Sequence, residues 1–162
     1  MPSYEPSVIT LPASETAHLI ERQLIHSRPA KESLLSRDRY YCFRAGNSEM
    51  QRIYSIVHVL YNVDPVLTLQ QLNQVVFPNS FGLAEDQAIR LRNYLNGIEN
   101  GIRAERIKPY TYHEPQVFYF LATEEDDTLP PHTRPAKPTI GPINYTRDEL
   151  KTGGILPAKN GI

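Results

Sequence analysis

The sequence predicts an α+β chain: a three-helix core closed by a β-hairpin, with a helical N-terminal extension and a Pro-rich C-terminal tail. Three observations carry this expectation. Apolar residues recur every three or four positions in successive blocks from Met50 to Ile102. Two stretches with strand character follow, separated by Pro109 to Pro115. Beyond Thr123 large apolar groups become scarce and prolines frequent, so little surface is available to offset the entropy of ordering the chain.

Residues 1–46 form the extension. Pro2, Pro6 and Pro12 mark residues 1–13 as an extended arm. Ser14 is placed to cap a helix carrying Ala17, Leu19, Ile20 and Leu24, which ends before Pro29. A further helical turn fits Ala30 to Ser36, and the aromatic run Arg39 to Arg44 reads as a strand.

Residues 47–123 form the core block. Asn47 or Ser48 can cap a first helix with Met50, Ile53, Ile56, Val57, Leu60 and Tyr61 on one stripe, broken at Asn62 to Pro65. Thr68 is placed to cap a second, with Leu69, Leu72, Val75 and Val76 facing inward, and Pro78 to Gly82 supplies turn chemistry. The third runs from Leu83 to Asn100. Ala84, Ala88, Leu91, Leu95, Ile98 and Ile102 form its stripe, and Gly101 suits its C-terminus. Ile102 to Lys108 and Gln116 to Thr123 read as the two hairpin strands. Val117, Tyr119 and Leu121 alternate with Phe118, Phe120 and Ala122, so both faces of the second strand are apolar. Both faces therefore call for cover, by the N-terminal segment or by Tyr40 to Phe43 as a third strand. The alternative is an exposed aromatic face that builds a homo-oligomer.

Residues 124–162 form the tail. It opens with the acidic run Glu124 to Asp127 and is mostly irregular, apart from a helical turn over Tyr145 to Leu150.

The phrase Leu67-Thr68-Leu69-Gln70-Gln71-Leu72 and the passage Leu91 to Ile102 are similar to the second helix and the helix-to-wing junction of winged helix-turn-helix domains. The order helix, helix, helix, hairpin over residues 47–123 resembles that superfamily too. The resemblance implies a DNA-binding accessory or regulatory protein that acts by occupancy, with a third helix in the major groove of duplex DNA and a wing loop on its backbone or minor groove. On that reading Gln87, Arg90, Arg92, Asn93 and Asn96 face the bases, and Arg103, Arg106, Lys108, Tyr110, Tyr112 and His113 belong to the wing. The plainer reading of such side chains is a solvated helix face.

Charge argues against tight DNA binding. The formal net charge is −1, and Glu85 and Asp86 stand in the first turn of the third helix. The runner-up expectation is therefore a protein-interaction, assembly or inhibitor protein, of host, phage or mobile-element origin. Its tail would dock through Arg134, Pro135, Lys137 and Pro138, whose spacing suits polyproline II recognition.

Chemistry is not apparent. The five histidines lack metal-ligand spacing, Cys42 has no histidine beside it, and no glycine loop is built to cradle phosphate. Neither a cofactor nor catalysis is expected. A single cysteine, no basic-then-apolar leader and no long apolar run predict a cytoplasmic protein without a membrane partner.

Overall fold

The computed structural model describes residues 7–74, 82–109, 112–137 and 141–158. Expectations for Met1 to Pro6, for Val75 to Phe81, for Tyr110 and for Pro138 lie outside these residues. The chain divides into two compact units: residues 1–17, 36–56 and 122–162 form the first, and 18–35 with 57–121 the second.

The described residues hold four helices and eight strands, which overturns the three-helix core with a small hairpin wing. The decisive element is β4, Arg52–Val63, expected as the first helix. Ile53, Tyr54, Ile56, Val57, Val59, Tyr61 and Val63 are β-branched or aromatic, side chains that suit a pleated surface and lose χ1 freedom in a helix. A stretch that is apolar on both faces satisfies helical and strand periodicity alike. Here the strand preference wins.

In the first unit β1 (Ser7–Pro12) lies between β3 (Tyr40–Arg44) and β7 (Ile143–Thr146), and β3 lies between β1 and β4. The β1–β3 ladder is parallel, with Ile9 opposite Tyr41, and the β1–β7 and β3–β4 ladders are antiparallel. Val8, Cys42, Met50, Ile53, Ile143, Tyr145 and Leu150 share one core. The expected irregular tail is folded: β6 (Arg134–Pro135) pairs with β8 (Ile155–Leu156), and α4 (Arg147–Thr152) begins at a Thr146–Glu149 capping box.

The second unit packs three helices on sheet strands. α1 (Ala17–Gln23) leads directly into β2 (Ile25–Pro29), with Leu24 at φ 55 turning the corner. β2 pairs antiparallel with β5 (Gln116–Thr128), Ile25 opposite Phe120. The expected second wing strand is thus present, but its partners are β2 and β4 rather than Ile102–Lys108. Phe118 and Phe120 join Leu91, Tyr94, Leu95 and Ile98 of α3 (Glu85–Arg103) in a core. Tyr119 points the other way, stacks on His26 at 6.3 Å and accepts a hydrogen bond from the Leu35 N–H. The N-terminal segment therefore supplies cover for that face.

The first expected wing strand does not form, because α3 continues through Arg103 and then wraps back on itself. The N–H groups of Arg106 and Ile107 both donate to the Gly101 carbonyl, and Glu105 sits at φ 59. Gly101 is a notch rather than a cap. A Cβ there would lie 2.4 Å from Ile107 Cδ1, so the missing side chain lets the returning isoleucine bury. The acidic run is likewise strand, not loop. Glu124, Glu125 and Asp126 are exposed on β5 beyond the end of the β2 ladder, where charge discourages pairing with another chain.

Candidate functional site

α2 (Pro65–Gln74) is placed by local chemistry. Asp64 accepts from the Val66 and Leu67 N–H groups at 2.9 and 3.2 Å, and Pro65 takes the first helical position, where no N–H is needed. Asp64, not the expected Thr68, is the cap; Thr68 is buried inside the helix. α2 packs on α3, where Gln87 accepts from the Ala84 N–H at 3.0 Å and closes the N-terminal end.

Between α2 and α3 lies a cleft of about 530 Å³. α2 contributes Val66, Leu69, Gln70 and Asn73, and α3 contributes Asn96, Glu99, Asn100 and Arg103. On each helix these residues follow the i, i+3, i+4, i+7 spacing that defines one face. His113 closes the cleft, its Nε2 3.7 Å from Glu99 Oε1. Leu69 is half-buried on the core beneath, while Gln70, Asn73, Asn100 and Arg103 are exposed.

The polar capacity of this cleft is largely unused. Gln70, Asn73, Asn96 and Asn100 make no side-chain hydrogen bond with another described residue, and Arg103 makes no ion pair with one. Asparagine is a poor helix former, so three of them in α3 (Asn93, Asn96 and Asn100) weaken the helix by up to roughly 0.7 kcal/mol each relative to alanine. The neighbouring Gly97 has a packing reason, since a Cβ there would lie 2.4 Å from Leu19 Cδ2. Asn96 and Asn100 have no such internal reason.

The residues expected to meet DNA are divided. Asn96, Arg103 and His113 come together in the cleft. Gln87 is occupied at the start of α3, Arg90 pairs with Asp86 at 3.1 Å, and Arg92 is half-buried with a partner of its own. Asn93 and Arg106 are exposed, as is Lys108, and Tyr112 packs against the core. In the tail Pro135 is buried in β6, whereas Arg134 and Lys137 are exposed. Gln70, Asn73, Glu99 and Asn100 escaped the sequence reading. The amide-rich Gln70–Gln74 stretch was the signal available for the first two.

Other constellations offer less. A depression of about 580 Å³ in the same unit is lined by Leu34, Tyr61, Pro115 and Val117, but its ionic groups, Lys31 and Glu114, pair with each other at 3.1 Å. The small void near Ser27 and Tyr112 is about 10 Å³, barely a water. In the first unit, buried Asp127 meets Arg147 at 3.0 Å and Lys151 at 4.0 Å, and Arg147 stacks over Tyr40 at 4.4 Å. That cluster ties α4 to β5. Burial, reinforced by the Asp127 charge, pushes the nearby Cys42 thiol well above its usual range, which makes it inert. Among the described residues no group of three or more His, Cys, Asp or Glu is placed to hold a metal, and no helix is long and apolar enough to cross a membrane. Comparison with family models, with curated proteins and with solved structures gave no match.

Proposed function

We propose that this chain is a protein-binding module whose partner presents a peptide segment to the α2–α3 cleft, acting by occupancy. The observation that carries the reading is the pair of facing helix stripes, with four carboxamides that no described residue engages. Such groups contribute little to the stability of an isolated domain. Their donors and acceptors become valuable when a ligand displaces water from them. The duplex-DNA expectation depended on a recognition helix and a wing, and the described residues supply neither in that arrangement.

Selection of a random-peptide display library on the full chain tests the proposal. Binders are expected, and they should be lost when the cleft is filled by Asn73→Trp with Asn100→Trp. Both positions are exposed, so thermal unfolding of that variant should stay close to that of the parent. An empty selection, or binders indifferent to the filled cleft, overturns the proposal. Tight duplex binding with a steep salt dependence would restore the DNA reading instead.

A further inference from the structure

The identity of the cleft's occupant can be narrowed, on the protein-binding reading above. We infer that it is an extended acidic peptide segment, with a carboxylate on Arg103 and its main chain along the carboxamides of Gln70, Asn73, Asn96 and Asn100.

Charge points to the carboxylate. Three of the described residues that line the cleft are ionisable, and two of them, Glu99 and His113, already face each other at 3.7 Å. Arg103 remains, without an ion pair among the described residues, at the end of the α3 stripe. A guanidinium presents a planar fork of donors that matches a carboxylate bidentately. The carboxamides point to a peptide main chain. Each offers both a carbonyl acceptor and an NH2 donor, the complement of the N–H and C=O on a peptide group.

Dimensions favour an extended segment over a helix. From Asn96 to Arg103 the stripe runs about 10 Å at 1.5 Å per residue, and the α2 stripe from Val66 to Asn73 is equally long. An extended chain covers that distance with three or four residues at about 3.3 Å each. A docked helix needs a row of apolar pockets at helical spacing, and among the described lining residues only Val66 and Leu69 are apolar. Nucleic acid fits less well. A duplex contacts several phosphates, whereas among the described residues lining this cleft Arg103 is the one cation without an ion pair.

The test is an NMR titration of the 15N-labelled full chain with acetyl-Ser-Glu-Val-Glu-Ser-amide, beside its Gln-for-Glu counterpart and a 12-base-pair duplex. The Glu peptide should shift the side-chain amide resonances of Gln70, Asn73, Asn96 and Asn100. Its affinity should exceed that of the Gln peptide by about tenfold, the worth of one charge-assisted contact, and Arg103→Gln should remove the difference. Equal affinities, an effect that survives Arg103→Gln, or no shift with peptide at 10 mM overturns the inference. So does a duplex that moves the same resonances. If display selection has yielded cleft-dependent peptides without acidic residues, only the acidic assignment falls. If it has yielded none, the protein-binding reading falls with it.

Discussion

His26 should make this protein acid-sensitive, and the size of the effect follows from its surroundings. The ring is buried in β2, 7% exposed, and stacks on Tyr119. Burial, with a smaller contribution from Arg28, lowers its pKa from 6.5 to about 3. The folded chain therefore keeps His26 neutral through a range in which the unfolded chain protonates it. Between those two values the unfolded state binds one more proton, so stability is full above pH 6.5 and declines as pH falls toward 3. The slope is at most about 1.4 kcal/mol per pH unit, and integration from pH 7 to pH 5 gives about 2 kcal/mol. Urea unfolding of the parent and of His26→Gln at both pH values isolates this contribution. Any fixed cost of the substitution cancels in the comparison, and the variant should lose about 2 kcal/mol less than the parent over the interval. An identical pH dependence in the two proteins, or a His26 ring signal that titrates near 6.5 in the folded state, would refute the reasoning.

Three further perturbations probe the fold. Gly97→Ala drives a methyl group against Leu19, at a cost of about 1 to 3 kcal/mol, less roughly 1 kcal/mol regained in helix propensity. In a Leu19→Ala background the same change should be neutral or stabilising, and an equal cost in both backgrounds would contradict the proposed close approach. Asp127→Ala should destabilise by about 2 kcal/mol, between the limits for exposed and fully buried pairs, because Asp127 is buried while Arg147 and Lys151 are partly exposed. Denaturant unfolding reads this directly, and an unchanged midpoint would deny the cluster its role in holding α4. Cys42 should resist a thiol reagent in the native protein and react at full rate in urea, because burial disfavours its thiolate. Rapid native labelling would show that β3 opens locally.

The elements with the strongest local logic were legible. Ala88, Leu91, Leu95 and Ile98 define α3 by spacing alone, and all four are buried on its inner face. The aromatic run at Tyr40 to Arg44 is a strand, and β5 begins at the expected Gln116. The apolar character of both β5 faces implied cover on both sides, and the buried pattern from Val117 to Leu121 reflects it. The cleft was partly legible: Asn96, Arg103 and His113 were expected as DNA contacts on the third helix and wing, and they meet between α2 and α3 instead.

The sequence by itself determined the places of α1, α3, β3 and the start of β5, because propensity and periodicity are properties of neighbouring residues. Tertiary structure decided the rest. Residues 52–63 satisfy two periodicities; their β-branched and aromatic side chains lean toward the strand, and pairing beside β3 and β5 completes it. The partner of β5 is not its predecessor in the chain but β2, some ninety residues earlier, and no local pattern encodes that pairing. The cleft likewise exists because one face of α2 meets one face of α3. Asn73 and Asn100 look like ordinary solvated residues until packing sets them along the same groove.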